Sequence, residues 1–259
     1  MNFFVANDVR IAYRTDGPAD APTVVLVNSL GTDLRMWDSQ IEPLSQHFRV
    51  LRYDFRGHGA SSVPAEPYTI EQFGLELLAL LNTLQIERAH ICGLSLGGII
   101  ALYFVSQYPE RANRAVFANT AARIGTEATW DARIDVVKKG GMAAIQDAVL
   151  ARFLSAGFRQ QRPEVTRKIS AMVEATNPVG YIGACAALRD ADLRGTVSSI
   201  HVPSLIIGSE LDESTPPAQA KELHTSIAES KLVIFPQTAH LSSVEQSEAF
   251  SEHVLRFLG

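Results

Sequence analysis

The chain has 259 residues, 46% of them hydrophobic, a length that suits one α/β domain with a sizeable core and a modest insertion. Its net charge is −5, and its 23 basic and 28 acidic residues are spread along the chain, which excludes a basic stripe for nucleic acid and a polybasic arm for a membrane surface. We therefore expect no nucleic-acid partner and no membrane partner. The N-terminus has no signal-peptide pattern and no apolar run approaches a membrane span, which predicts a cytoplasmic protein with Cys92 and Cys185 reduced and buried.

The first elements along the chain are strands. Residues 3–17 predict an antiparallel hairpin at a sheet edge. Short apolar or β-branched runs then predict buried parallel strands at residues 23–29, 48–55, 89–95, 114–120, 203–210 and 231–237. Helical patterns lie between these runs, as βαβ units require. Thr69 and Gln72 predict a capping box ahead of an apolar stripe, and residues 244–258 predict a final amphipathic helix.

The alternation of strand and helix breaks in the middle of the chain. Between about Ala121 and Asp192 only helical patterns occur, at 133–154 and 164–176, and the strand pattern resumes at Val202. We therefore predict an α/β fold with a mostly parallel central sheet flanked by helices and an inserted helical cap over one sheet edge. The predicted division is a first core part at residues 1–120, the cap at 121–192 and a second core part at 193–259.

A serine between two glycines follows the third parallel strand run. The segment Gly93-Leu-Ser95-Leu-Gly97 comes directly after the strand pattern and directly before a helical one. This context is typical of the strand-to-helix bend that exposes a nucleophilic serine, and small flanking residues avoid clashes there. We predict that Ser95 is a nucleophile, although an ordinary glycine-rich turn has the same composition.

A serine hydroxyl is a weak nucleophile near neutral pH and needs a base, for which the chain offers seven histidines. His240 follows the last strand run and precedes the final helix, the place expected in the chain order serine, acid, histidine. His58 also follows a strand end but precedes the serine. Positions in helical patterns or at strand starts indicate structural or surface roles for His47, His90, His201, His224 and His253.

A carboxylate between Ser95 and His240 would complete a triad by orienting the imidazole. Asp212 stands beyond its strand run, whereas Glu210 falls at the strand end and is the weaker candidate. Backbone amides of Leu96 and Leu30 are predicted to form an oxyanion hole, although the turn that contains Leu30 could also be a plain turn.

With these residues in place, the chain resembles the 3-oxoadipate enol-lactonases, α/β hydrolases of aromatic-compound catabolism. The resemblance runs nearly end to end, through NSLGTDLRMWDSQI, LRYDFRGHGASSVP, GLSLGG, NTAARIGTEATWDARI, GGMAAI, CAALRDADLR, DESTPP and AHLSSVEQ. One departure is Ser209, where the family commonly has a glycine three residues before the acid.

The resemblance implies the α/β-hydrolase fold and hydrolysis of a small-molecule enol-lactone, with no cofactor and no metal. The acetate carboxylate of that lactone needs a cation, for which Arg133 is the first candidate, with Trp130 at helical spacing from it. Arg123 and Arg189 are further candidates. Each arginine could instead be an ordinary surface group.

Other functions share this fold and triad. The alternatives are an esterase, a carbon-carbon bond hydrolase or a perhydrolase-like enzyme and, from a different class, a ligand receptor that turns over slowly. The sequence leaves the oligomeric state open, with a homo-oligomer as one alternative.

Overall fold

The computed structural model describes residues 1–6 and 8–259, and within them eight strands form one sheet in the order β1-β2-β4-β3-β5-β6-β7-β8. The strands are β1 Asn2–Ala6, β2 Val9–Asp16, β3 Thr23–Val27, β4 Arg49–Asp54, β5 Ala89–Leu94, β6 Ala112–Ala118, β7 Ser204–Ser209 and β8 Ser230–Phe235. β2 pairs antiparallel with both β1 and β4, and the other neighbours are parallel. The mostly parallel sheet and its edge hairpin are thus as predicted, except that residue 7 lies outside the described residues.

Eleven α-helices occur in the same described residues. They are α1 Asp38–Ser45, α2 Ile70–Thr83, α3 Leu96–Gln107, α4 Glu127–Gly140, α5 Gln146–Phe153, α6 Ala156–Gln161, α7 Pro163–Ala175, α8 Pro178–Asp190, α9 Pro217–Ser226, α10 Ser242–Glu245 and α11 Ser247–Leu258. The capping box at Thr69 and Gln72 is present, and the predicted apolar stripe of α2 is buried except for its last residue, Leu84, which is partly buried and lies just after the helix. None of the described helices combines the length and the apolar character that a membrane-spanning segment needs.

The core lies on both faces of the sheet, because every residue of β3, β5 and β7 is buried. β3 ends at Val27, two residues before the end of the run predicted at 23–29. The last residues of that run leave the sheet and form a loop at its carboxyl edge. α3 packs against β3, β5 and β6, and α9 packs against β7 and β8. Cys92 and Cys185 are free and buried, as expected.

The chain between β6 and β7 contains helices α4 to α8 and, in its described residues, no strand. The helical pattern predicted over 133–154 is interrupted there. α4 ends at Gly140, and Gly141 has a φ of +65°, which stops the helix before a short 3-10 helix at Met142–Ala144. α4 and α8 pack against each other although 37 residues lie between the end of α4 and the start of α8. The chain thus leaves the sheet after β6 and returns to it at β7.

Glycine is required where α3 crosses β3. A Cβ on Gly97 would lie 2.1 Å from the carbonyl oxygen of Val27, and that backbone atom cannot move away cheaply. We expect Gly97→Ala to lower the free energy of unfolding by about 3 kcal/mol in urea denaturation. Gly157→Ala is the matched control, because a Cβ there meets nothing within 4 Å, and it should change stability by at most about 1 kcal/mol. Equal stabilities of the two variants would contradict this packing argument.

Candidate active site

Ser95 occupies the sharp bend between β5 and α3. Its φ of +60° and ψ of −117° are sparsely populated for a residue with a side chain, and the surrounding chain enforces them. The Ser95 N–H donates to the Ala118 carbonyl at 3.0 Å, and the Thr120 hydroxyl donates to the Ser95 carbonyl at 2.8 Å. This bend directs the Ser95 hydroxyl away from the backbone ladder of the sheet.

His240 lies between β8 and α10 and connects Ser95 to Asp212. Its Nε2 is 2.7 Å from Ser95 Oγ, and its Nδ1 is 2.8 Å from Asp212 Oδ2. The ring of Phe153, from α5, stacks on the imidazole at 5.8 Å between centroids. The fold therefore joins the three residues predicted as a triad in one hydrogen-bonded chain.

Asp212 is held as an anion by donors on every side. Its Oδ1 accepts the N–H groups of Ser214 and Thr215, at 2.8 and 3.0 Å, and its Oδ2 accepts the Thr215 hydroxyl at 2.7 Å. Burial alone would raise the pKa of Asp212, but the adjacent His240 and these donors outweigh it and the net pKa is lowered. The ionised carboxylate can thus fix the His240 tautomer that carries the proton on Nδ1.

Asn119 completes the surroundings of the carboxylate and was not predicted from the sequence. Its Nδ2 donates to Asp212 Oδ2 and to Ser209 Oγ, both at 2.9 Å, and its Oδ1 accepts from the Ser242 hydroxyl. Ser209, the departure from the family pattern, therefore serves as a hydrogen-bond acceptor. Its neighbour Glu210 is exposed and bonds the Gln237 N–H instead. The available signal for Asn119 was its position directly after β6, at the same carboxyl edge of the sheet.

The two amides predicted for an oxyanion hole lie on segments that touch. Leu96 is the first residue of α3, so its N–H has no acceptor within the helix. The Leu30 N–H makes no hydrogen bond to any residue in the described part of the chain. The loop after β3 contacts the start of α3, because a Cβ on Gly97 would lie 2.6 Å from the carbonyl oxygen of Asn28.

A cavity of about 200 Å³ lies between helices α4 and α5 and the loop after β7 that contains Asp212. It is lined by Ile124, Gly125, Thr129, Trp130, Arg133, Arg152, Glu213 and Ser214. The Arg133 guanidinium lies over the Trp130 ring, 5.2 Å from its centroid. Within residues 1–6 and 8–259, neither Arg133 nor Arg152 has a carboxylate within 4.0 Å, so both cations are available to an anionic ligand.

Tyr181, from α8, is buried beside the loop that contains Leu30 and Gly31. Burial raises the pKa of Tyr181, while the positive charges of Arg133 and Arg152 act in the opposite direction. A Cβ on Gly31 would lie 3.1 Å from the same ring. Neither Tyr181 nor Arg152 was predicted from the sequence, because no motif marks either residue.

The other two candidate arginines are engaged elsewhere. Arg123 forms an ion pair with Asp192 at 3.4 Å and lines a neighbouring cavity of about 630 Å³. Arg189 pairs with Asp131 at 3.0 Å and with Asp190 at 2.8 Å. Both guanidinium groups thus have carboxylate partners, whereas Arg133 and Arg152 have none among the described residues.

Comparison with known proteins identifies the family of the chain. The family model described as alpha/beta hydrolase fold matches residues 22–247. The chain belongs to the α/β hydrolase fold family. Within this family it is 39% identical to 3-oxoadipate enol-lactonase 2 of Acinetobacter baylyi over 96% of this chain and 93% of the relative. It is 36% identical to 3-oxoadipate enol-lactonase 1 of the same species, over 93% and 90% of the two chains.

A solved structure gives the same result for the fold. The enol-lactonase from Burkholderia xenovorans LB400 is 42% identical to this chain and superposes with a TM-score of 0.98, covering 99% of both chains. The predicted fold class and the resemblance to the enol-lactonases are therefore confirmed.

Proposed function

We propose that this member of the α/β hydrolase family hydrolyses 3-oxoadipate enol-lactone to 3-oxoadipate, with Ser95, His240 and Asp212 as its catalytic triad. The observation that carries this proposal is the unbroken chain of contacts from Ser95 Oγ through the imidazole to Asp212, at 2.7 and 2.8 Å. The enol-lactonase relatives supply the substrate class.

The first step is attack of Ser95 Oγ on the lactone carbonyl carbon. His240 Nε2 takes the hydroxyl proton as the bond forms, and Asp212 stabilises the resulting imidazolium. The carbonyl oxygen becomes an oxyanion, which the N–H groups of Leu30 and Leu96 stabilise by hydrogen bonding. No other group of the chain needs to change its protonation state.

Collapse of this intermediate breaks the ring carbon-oxygen bond. The departing oxygen is an enolate, a much better leaving group than an alkoxide, and it takes the proton from His240. The acyl-enzyme on Ser95 thus retains every atom of the lactone, and its enol tautomerises to a ketone, which makes ring opening hard to reverse. A water deprotonated by His240 then attacks the ester and releases 3-oxoadipate, and the proton returns to Ser95 Oγ.

Residues 121–192 act in this proposal as a cap that supplies the contacts for the acetate group. Arg133 pairs with the carboxylate, the Trp130 ring packs against the ligand, and Arg152, which also lines the cavity, provides a second positive charge. Both arginines line the cavity without a carboxylate partner of their own in the described residues, so the substrate would be that partner.

Arg133→Met should raise the KM for the enol-lactone at least about tenfold, because a charge-assisted contact to the carboxylate is lost. Hydrolysis of p-nitrophenyl acetate, which has no carboxylate, should change less than about threefold. Arg123→Met is the matched control, since its guanidinium is paired with Asp192, and it should leave both substrates nearly unaffected. If the two variants raised the lactone KM equally, the assignment of the anion site to Arg133 would be wrong.

Steady-state hydrolysis of the enol-lactone by the wild-type protein tests the proposed function. A kcat of about 1 to 1000 per second is expected. Cleavage of p-nitrophenyl acetate without lactone turnover would move the assignment to an esterase of the same fold. Turnover of neither substrate would favour a ligand receptor.

A further inference from the structure

His58 is a buried histidine on the rim of the site that the proposed mechanism does not use. It lies in the loop after β4, where its side chain is 1% exposed and its ring packs against Phe55 at 4.4 Å between centroids. Its Nε2 accepts the backbone N–H of Gly31 at 3.0 Å. The contact therefore joins the loop after β4 to the loop after β3, the loop that carries Leu30.

The Gly31 contact defines the protonation state of His58. An N–H can donate only to an unprotonated Nε2, so the proton of the neutral ring sits on Nδ1, which faces the Arg56 carbonyl at 3.4 Å. Burial lowers the pKa of His58 to about 4, against smaller opposing effects of the Arg56 carbonyl and of Asp33. Near neutral pH the imidazole is thus a fixed acceptor rather than an acid or a base.

The accepted N–H lies at the centre of a tight turn. Thr32 N–H donates to the Ser29 carbonyl at 3.2 Å, so residues 29–32 form a β-turn with Leu30 and Gly31 as its central residues. The φ of +73° at Gly31 is the conformation that a type II turn requires at its third residue. Flipping the peptide between Leu30 and Gly31 converts one turn type into another, and the hydrogen bond to His58 opposes that flip.

Further contacts leave the turn little freedom to move as a unit. Asp54 accepts the Leu34 N–H at 2.7 Å and the Ala60 N–H at 2.9 Å, which ties the two loops together a second time. The ring of Tyr181 also packs beside Gly31. The hydrogen bond from Gly31 to His58 therefore holds the middle of the turn that also contains the Leu30 N–H.

We propose that His58 is a positioning residue for the oxyanion hole: its neutral imidazole holds the turn of residues 29–32 so that the Leu30 N–H donates to the oxyanion formed on attack by Ser95. The inference rests on the proposed function for the roles of Leu30 and Ser95. His58 itself touches neither the substrate nor the reacting atoms.

Two variants of His58 distinguish loss of the hydrogen-bond acceptor from a change in the packing of the side chain. His58→Leu removes the acceptor, whereas His58→Gln keeps a side-chain oxygen that can accept the Gly31 N–H. His90→Leu is the matched control, because His90 is also a buried histidine but lies at the start of β5, where its ring contacts Phe48. Each protein is assayed on the enol-lactone and on p-nitrophenyl acetate, and the Ki of an arylboronic acid is measured. The boronate bound to Ser95 places a charged oxygen in the oxyanion hole.

We expect His58→Leu to lower kcat at least about tenfold, since complete loss of one oxyanion donor costs about a hundred- to a thousandfold. The KM should stay within about threefold, and the Ki of the boronic acid should rise in parallel with the loss of kcat. His58→Gln and His90→Leu should remain within about threefold of the wild type. Retention of kcat by His58→Leu, a loss of kcat with unchanged boronic acid affinity, or equal damage in His58→Gln would each overturn the proposal.

One measurement needs no variant and applies even if His58→Leu fails to fold. Nitrogen-15 NMR of the wild-type histidines at pH 8 should show His58 with its proton on Nδ1. A proton on Nε2 would overturn the proposal, because that nitrogen could not accept from Gly31.

The design also separates this inference from the proposed function. If the wild type cleaved only the aryl ester, the lactone assignment would fail, yet the ester and boronic acid data would still test His58. If Ser95→Ala were inactive while His58→Leu behaved as the wild type, only the positioning role would fail.

Discussion

Ser95→Ala is expected to lower kcat for lactone hydrolysis by about 10⁵-fold. Removing the nucleophile of a hydrolytic triad leaves only the acceleration that binding and oxyanion stabilisation provide. The Ser95 hydroxyl is the only group of the triad that bonds to the substrate in the proposed mechanism, and its Oγ already contacts His240 at 2.7 Å. The measurement is single-turnover hydrolysis with enzyme in excess, so that residual activity is visible.

Ser106→Ala is the control for this variant. Ser106 also belongs to α3, but within the described residues its hydroxyl bonds only the Tyr103 carbonyl and the side-chain amide of its neighbour Gln107, so kcat should stay within about twofold. Retention of more than about 1% of kcat by Ser95→Ala would mean that another group attacks the lactone.

Asp212→Asn should lower kcat by about 10⁴-fold, as loss of the tautomer-fixing carboxylate does in triad enzymes. The Asp212 carboxylate accepts hydrogen bonds from Asn119, Thr215 and His240. An amide NH₂ group in place of a carboxylate oxygen would point its own hydrogens at one of these donors, so it cannot make the same contacts. The variant should fold, because the side chain keeps its size. Its kcat and its thermal unfolding should therefore be measured together.

Glu210→Gln provides the matched comparison, since this neighbouring carboxylate is exposed and, among the described residues, bonds only the Gln237 backbone and side chain. We expect its kcat to remain within about threefold of the wild type. A larger loss in Glu210→Gln than in Asp212→Asn would reassign the acid of the triad.

The three residues proposed as the triad could be selected from the sequence because each of them follows a strand end. Each of Ser95, Asp212 and His240 follows an apolar run whose end lies at the carboxyl edge of a parallel sheet, so the chain order alone selected them. The same reasoning set Asp212 above Glu210, and the contact of Asp212 Oδ2 with His240 Nδ1 at 2.8 Å agrees with that choice.

The residues around the substrate could not be predicted from strand ends in the same way. Whether an arginine is free depends on which carboxylate it meets after helix packing, and the ion pair of Arg123 with Asp192, 69 residues further along the chain, has no sequence signature. Asn119 and Arg152 were missed for the same reason. The break at Gly141 was also missed, because helical periodicity continues through residues where a positive φ stops the helix.

The most direct measurement compares kcat/KM of the wild-type protein for two enol-lactones that differ only beside the ring. One is 3-oxoadipate enol-lactone, and the other has a methyl group where the first has its acetate. We predict a preference of at least about a hundredfold for the acetate-bearing lactone, about 2.7 kcal/mol, because its carboxylate would meet Arg133 and Arg152, which have no carboxylate partner among the described residues. Equal values, or a preference for the methyl lactone, would contradict the assignment of this chain as a 3-oxoadipate enol-lactonase.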